Sequence, residues 1–227
     1  MLYKSYLIEN NFSNLKEKIS LFYGENLGLK NDFKRIIKEI NSEDEILYFN
    51  QDEIIQNNNV LIKEITNVSL FEKKKIFFVE NINDKFLDLV MEIEKIVADN
   101  KLFLFADILE KKSKLRVFFE KNNETIIVPF YEDDQKTLVE MAHKFFLREK
   151  IKITPENINY IIQKTLGNRI NLKNELEKIS NYCQKRKTIN LEELIKLSNS
   201  SENYNISELT DSCLANNAKK AVKILNE

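Results

Sequence analysis

The sequence predicts an α/β domain with a parallel sheet, followed by a smaller all-helical domain. As far as Phe130, short unbroken apolar runs alternate with segments whose apolar residues recur at helical spacing. Unbroken apolar strands separated by helices are typical of a parallel sheet that is covered on both faces. Beyond Phe130 the apolar spacing is helical throughout. The 227 residues, of which 43% are hydrophobic, suffice for two such domains.

Five apolar runs are predicted to form the strands of the first domain. The first run opens at Ile19 and leads through a glycine-containing turn into a helix whose apolar face includes Phe33 and Ile37. The other four predicted strands are 45–50, 75–82, 101–109 and 124–130. Helical patterns between these strands lie in DEIIQNNNVLIKEIT, KFLDLVMEIEKIVA and SKLRVFFEKN.

The second half of the chain carries start signals for helices. Thr154 precedes Pro155, which favours an N-cap followed by the first helical residue. Asn190 and Glu193 have the spacing of a capping box. We expect an α/β domain at 1–133 and a helical domain at 134–200, then a polar linker. At 205–227 we expect the beginning of a third helical domain whose remainder is missing, because the helical pattern stops without a cap.

The composition excludes several classes of function. The 35 Lys and Arg residues balance 36 Asp and Glu residues, so a net charge of −1 provides no general basic field for nucleic acid. The single histidine, His143, excludes multi-histidine metal sites, and Cys183 and Cys213 form neither a disulfide framework nor a zinc motif. The stretch MLYKSYLIENNFSNL does not combine a basic head with a long apolar segment, and no apolar run of about 18 residues occurs. We expect a cytoplasmic protein without a metal, a cofactor or a membrane partner.

The turn in LFYGENLGLKNDF has the outline of a phosphate-binding loop without its chemistry. A working loop reads G-x-x-x-x-G-K-[ST], with a lysine for the phosphates and a hydroxyl for magnesium. Here Gly24 and Gly28 are one residue too close, Leu29 separates Gly28 from Lys30, and Asn31 has no hydroxyl. The loop is therefore not expected to bind ATP. Gly24 is expected to allow a tight exit from the strand, and Asn31 to cap the helix.

Two other positions at which an ATPase needs polar groups are also altered. An ATPase carries an Asp-Glu pair after a strand such as 75–82, but Glu80 is followed here by Asn81. Arg169 comes one position too early for the Gly-x-x-Arg pattern with which helical lids reach a nucleotide. We interpret Arg169 as a surface or interdomain ion-pair residue.

An α/β domain that opens with such a turn and precedes a small helical lid has the layout of AAA+ modules. Within this layout the sequence resembles the delta subunit of bacterial DNA polymerase III, in order and along essentially the whole chain. The strings that carry the resemblance are LFYGENLGLKNDF, ITNVSLFEKKKIFFVENI, LFLFADILEKKSKLRVFFEK and LGNRINLKNELEKISNYC. The resemblance implies an AAA+ fold that does not bind ATP, and a helical collar domain of which only the start, from about Ile206, is present.

The resemblance also implies a function and a set of partners. It implies a non-catalytic clamp-loader subunit of the DNA polymerase III holoenzyme, itself a nucleotidyltransferase, that binds the beta sliding clamp and helps to open it for loading onto primed DNA. Further implied partners are the gamma/tau and delta prime subunits, through the collar, and primer-template DNA. Leu70 and Phe71, after Ser69, match the apolar pair that such subunits insert into a pocket on the clamp. On the residues alone, burial in the core is the simpler interpretation of this pair.

The basic run Lys73, Lys74 and Lys75 follows this pair directly. Such runs are most often a solvated face, but this one is also a candidate for contacts with an acidic clamp surface or with DNA phosphates.

Two alternatives from related proteins are weighed against this hypothesis. One is an ATP-hydrolysing AAA+ protein, such as a catalytic clamp-loader subunit or a helicase loader, with an unusual nucleotide loop. The other is a stator subunit similar to delta prime, which is disfavoured because the zinc site and the Ser-Arg-Cys string of that relative are absent from the sequence.

Overall fold

The computed structural model describes residues 2–5, 8, 12, 17–57, 59–67, 74–184, 186–199 and 206–225. The chain forms two compact units, Met1–Glu132 and Asp133–Glu227. Among the described residues, no helix combines the length and the apolar character that crossing a membrane requires.

A parallel sheet forms the centre of the first unit. In the described part of the chain it has five strands, which lie in the order β2-β3-β4-β1-β5 and pair in parallel throughout. The strands are β1 (Ile19–Tyr23), β2 (Glu45–Asn50), β3 (Lys75–Ile82), β4 (Lys101–Ala106) and β5 (Thr125–Pro129). The predicted α/β fold with a parallel sheet is confirmed.

The fourth strand is shorter than predicted. It ends at Ala106 and not at residue 109, because its neighbour β1 ends beside it, where Tyr23 pairs with Ala106. Gly24, the first residue after β1, lies outside the sheet, and its N–H donates to the Asp107 carbonyl oxygen at 3.1 Å. Asp107 therefore opens a loop at the carboxyl edge of the sheet.

Helices cover both faces of the sheet. Helix α1 (Leu27–Ile40) packs on one face, where Phe22, Phe33 and Phe130 form a compact aromatic cluster with ring centroids 4.7 to 5.4 Å apart. The opposite face includes Leu21 of β1, since side chains alternate along a strand. The helices on that face are α2 (Gln51–Gln56), α3 (Asn59–Thr66), α4 (Leu87–Ile96) and α5 (Lys114–Lys121). A 3-10 turn at Asp84–Phe86 precedes α4.

The second unit is entirely helical among its described residues, apart from one isolated bridge between Lys152 and Thr188. Its apolar core includes Phe146, Ile161 and Leu176. Its helices are α6 (Gln135–Arg148), α7 (Pro155–Lys164), α8 (Arg169–Tyr182), α9 (Leu191–Asn199), α10 (Ile206–Leu214) and α11 (Ala218–Leu225).

The predicted helix starts in this unit are confirmed. Thr154 caps α7 through a hydrogen bond from the Asn157 N–H at 3.3 Å, with Pro155 as the first helical residue. The Asn190 N–H donates to the Glu193 carboxylate at 3.1 Å, and the Glu193 N–H donates to Asn190 Oδ1 at 2.9 Å. This reciprocal pair is a capping box.

A carboxylate from the 3-10 turn completes the start of α5. Ser113 caps this helix by accepting a hydrogen bond from the Arg116 N–H at 3.2 Å, and its hydroxyl donates to Asp84 Oδ1. Asp84 also accepts from the N–H groups of Lys114, at 3.2 Å, and Leu115, at 3.1 Å. These hydrogen bonds, that from Ser113 first, lower the pKa of Asp84.

We predict that Asp84→Asn lowers the free energy of unfolding at pH 7 by about 1 kcal/mol, a modest value because the carboxylate is exposed to solvent. The folded-state pKa of Asp84 lies below its ordinary value of 3.8, so its stabilisation is present above that pH and is lost as the pH falls through the folded-state pKa. Urea unfolding of the wild type and the variant at pH 7 and at pH 3 measures the difference in their free energies of unfolding. Asp99→Asn, a change in an exposed turn, serves as the control, and a difference that persists unchanged at pH 3 contradicts the prediction.

Candidate functional site

The carboxyl edge of the sheet is the place where open parallel sheets bind ligands. At this edge only Gly24, Glu25 and Asn26 connect β1 to α1. Gly24 has φ of +137°, and a Cβ atom built on it would lie 2.2 Å from the carbonyl oxygen of Phe130. No residue with a side chain fits there, so the expectation that Gly24 makes a tight exit from the strand is confirmed.

The cap of α1 is Asn26, and the expectation that Asn31 is the cap is wrong. Asn26 Oδ1 accepts a hydrogen bond from the Leu29 N–H at 2.9 Å, and Asn26 Nδ2 donates to the Tyr131 carbonyl oxygen at 3.0 Å. The connecting turn is so short that the helix begins at Leu27, which puts Asn31 in its second turn, with its side chain exposed. Gly28 is buried in the first turn of α1.

Several N–H groups of the turn and the first helical turn donate within the chain. The Asn26 N–H donates to the Phe130 carbonyl oxygen at 3.2 Å, and the Leu27 N–H to that of Glu25 at 2.9 Å. The Lys30 N–H donates to the Asn26 carbonyl oxygen at 3.0 Å. A phosphate loop directs such N–H groups at its ligand. Here acceptors of the protein already occupy them.

Both lysines that α1 presents to this edge form ion pairs. Lys30 Nζ lies 2.9 Å from Asp107 Oδ1, and the Lys30 side chain is only 7% exposed. Lys34 Nζ lies 2.8 Å from Glu80 Oε1 and 4.7 Å from the centre of the Phe105 ring. The sequence singled out Lys30 and Glu80 but gave no signal for their partners, which come from distant parts of the chain.

Arg169 also forms an ion pair, but the pair is buried. Arg169 Nε lies 2.9 Å from Asp133 Oδ2, and both side chains are 6% exposed. Arg169 is the first residue of α8, and Asp133 precedes α6, so the pair lies within the second unit. The interpretation as an ion-pair residue is therefore correct, but a surface location is wrong.

The predicted clamp-binding residues Ser69, Leu70 and Phe71 lie outside the described residues, as does Lys73. The structure describes both ends of that segment, where α3 ends at Thr66 and β3 begins at Lys75. This position is the amino edge of the sheet, opposite the turn at Gly24, because β3 runs parallel to β1.

Two side chains tie the ends of this segment together. Lys75 Nζ donates to the carboxylate of Glu64 at 2.9 Å and to its carbonyl oxygen at 3.1 Å. Asn100 Nδ2 donates to the Ile65 carbonyl oxygen at 3.0 Å, and Asn100 Oδ1 accepts from the Lys75 N–H at 3.1 Å. We call Lys75, Glu64 and Asn100 the clasp. Sequence reasoning missed Asn100, because its partners are set by tertiary packing.

The placement of the basic run differs from the expectation for Lys75. Its side chain is 8% exposed and bound to Glu64, so its ammonium group is not presented to a partner. Lys74 is exposed, and it is the one member of this run, among the described residues, that remains available for an electrostatic contact.

Known proteins resemble the chain in sequence and in fold. No protein-family model matches it. A probable DNA polymerase III subunit delta of Aquifex aeolicus is 25% identical over 223 residues, which cover 93% of this chain and 63% of that protein. The DNA clamp loader delta protein of Bacillus subtilis has a TM-score of 0.64 at 14% identity, over 98% of this chain and 69% of its own. The RuvB Holliday junction branch migration motor of Thermotoga maritima has a TM-score of 0.54 at 13% identity, over 86% and 65%.

The strand order β2-β3-β4-β1-β5 with a helical unit after it, together with the likeness in fold to RuvB, confirms the predicted AAA+-like fold. The resemblance to the delta subunit of bacterial DNA polymerase III, predicted from the sequence, is confirmed by the Aquifex relative, and the Bacillus structure agrees with it in fold. The chain spans less than two thirds of the length of the Aquifex relative.

We predict that Gly24→Ala destabilises the first unit strongly, whereas Gly167→Ala costs about 1 kcal/mol. Both glycines have positive φ, +137° and +69°, a conformation that costs an alanine about 1–3 kcal/mol. A Cβ at Gly24 also clashes with the Phe130 backbone, whereas at Gly167 the nearest atom is Leu138 Cδ1, at 3.8 Å. Thermal unfolding of the two variants compares the two effects. Equal losses of stability would show that the close approach at Gly24 is not a constraint.

Proposed function

We propose that the chain is a non-catalytic clamp-loader subunit that binds the beta sliding clamp and helps to open it for loading onto primed DNA. The observation that carries the proposal is the similarity in sequence to a DNA polymerase III delta subunit along 93% of the chain. The likeness in fold to a clamp loader delta protein supports it.

The occupied carboxyl edge supports a role without ATP hydrolysis. Phosphate transfer requires a lysine that is available to the phosphates and acidic residues that hold magnesium. Lys30 is bound to Asp107, and Glu80 is bound to Lys34. Asn81, which follows Glu80, supplies no second carboxylate.

The proposed clamp contact is made by Leu70 and Phe71. Two adjacent apolar side chains form a small hot spot, and an aromatic ring loses little rotamer entropy when it docks. The clasp fixes both ends of the segment that carries them, since Lys75 and Asn100 bind the last turn of α3 to the start of β3. Fixed ends lower the entropy that such a segment loses on binding.

Opening of the clamp follows from differential binding. A subunit that binds an open ring more tightly than a closed one shifts the ring toward opening, by no more than the difference between the two binding free energies. A tenfold shift requires about 1.4 kcal/mol of such a difference. No chemistry in this subunit is needed. Partner subunits that hydrolyse ATP would set the time at which the clamp-binding segment becomes accessible.

The remaining partners of the proposal are other clamp-loader subunits and primer-template DNA. Helices α10 and α11, at Ile206–Leu214 and Ala218–Leu225, would begin the region that assembles with the gamma/tau and delta prime subunits. Lys74, which is exposed beside the proposed clamp contact, would approach an acidic clamp surface or DNA phosphates.

We predict that replacing Leu70 and Phe71 together by alanine weakens binding to the beta clamp of the same organism by at least about 30-fold, the effect of losing a hot spot worth about 2 kcal/mol. Calorimetric titration measures the affinity, and circular dichroism checks the fold. The matched control is Leu147→Ala on α6, because that side chain is 71% exposed. An unchanged affinity in a folded double variant would remove the proposed contact.

We predict that the wild-type chain shows no saturable binding of ATP with magnesium at micromolar concentrations. At the carboxyl edge of the sheet, acceptors of the protein already bind loop N–H groups, and carboxylates already bind Lys30 and Lys34. Equilibrium dialysis with labelled ATP measures this. Micromolar binding would instead favour the ATP-hydrolysing AAA+ alternative. A clamp titration of the same sample distinguishes a failed preparation from a true absence of nucleotide binding.

A further inference from the structure

The ammonium group of Lys30 is enclosed by the protein. The residue is 5% exposed and lies in the first turn of α1, where a working phosphate loop has its lysine close to the phosphates. A buried ammonium group requires an anion, since an unpaired charge in such a place is costly. The structure has such an anion in Asp107, 77 residues further along the chain.

The backbone of the fold holds Asp107 in this position. Asp107 follows β4 directly, and β4 is the neighbour of β1 in the sheet. The Gly24 N–H donates to the Asp107 carbonyl oxygen at 3.1 Å, and the Asp107 carboxylate lies 2.9 Å from Lys30 Nζ. The backbone of Asp107 is therefore fixed by one hydrogen bond, while its side chain pairs with the lysine.

The two partners differ in their access to solvent. The Lys30 side chain is 7% exposed, whereas that of Asp107 is 81% exposed. The carboxylate thus covers the lysine from the outside, at the mouth of the carboxyl edge. A shorter side chain at position 107 would leave the ammonium group accessible to a small oxyanion, with the backbone bond to Gly24 unaffected.

We propose that Asp107 is a built-in anion, which supplies to Lys30 the negative charge that a phosphate supplies to the lysine of a working loop. The edge is an oxyanion site of the phosphate class that the chain fills with its own carboxylate. Asp107 therefore occupies the lysine of this site, whereas acceptors of the protein occupy the loop N–H groups. This inference rests on the proposed function in one respect, since both require that the carboxyl edge of the wild-type chain is closed to nucleotides. It does not depend on clamp binding.

The test uses the full 227-residue chain, with inorganic phosphate as the probe and chloride at equal ionic strength as the reference. Asp107→Ala is expected to unfold at a lower temperature than the wild type. Phosphate should raise the unfolding temperature of this variant, and it should bind the variant at least about tenfold more tightly than it binds the wild type. The double variant Lys30→Met with Asp107→Ala should lose this response.

Two controls keep the result decisive. Glu110→Ala removes a carboxylate from the same loop whose partner, Lys112, is 87% exposed, so no buried lysine is uncovered and no response to phosphate should appear. If Asp107→Ala does not fold, Asp107→Ser, which is also uncharged and shorter than aspartate but keeps a polar group, should give the phosphate response.

Equal phosphate responses in the wild type and the Asp107 variant would overturn the inference, and so would a response that survives the loss of Lys30. The Asp107 variant should also bind the beta clamp as the wild type does. Loss of the phosphate response with normal clamp binding contradicts only this inference. Absence of clamp binding in the wild type contradicts only the proposed function.

Discussion

The close approach of the Gly24 backbone to the Phe130 carbonyl group is the constraint on which the carboxyl edge of this fold depends. At this approach β1 leaves the sheet after Tyr23, and α1 begins at Leu27, after three connecting residues. The early start of the helix brings Lys30 into its first turn and against the edge of the sheet. In the same turn the Gly24 and Asn26 N–H groups donate to the carbonyl oxygens of Asp107 and Phe130.

Polar contacts between segments distant in sequence hold both edges of the sheet. At the carboxyl edge, ion pairs and internal hydrogen bonds join the ends of the strands, as in the pair of Lys30 with Asp107. At the amino edge, the clasp of Lys75 and Asn100 holds the two ends of the segment that follows α3.

The sequence by itself determined the features that depend on neighbours in the chain. Apolar runs predicted β2 and β3 with the bounds that the structure has. The strand β3 is buried over most of its length, as its continuous apolar run indicates, whereas β2 lies at the edge of the sheet and is only partly buried. The cap at Thr154 and the capping box at Asn190 were predictable because a cap involves residues within one turn. The lack of a phosphate-loop pattern around Gly24 and Lys30 was visible for the same reason.

Only the tertiary structure decided which polar groups meet. Asn26 caps α1 through the local Leu29 N–H, but its second hydrogen bond, to the Tyr131 carbonyl oxygen, joins residues 105 positions apart. The burial of Lys75 depends on Glu64 and on the packing of α3, although its sequence context is that of an exposed basic run. The partner of Lys30 is likewise distant in sequence. Local patterns report periodicity and turn chemistry, whereas an ion pair between distant residues forms only where strand order brings two segments together.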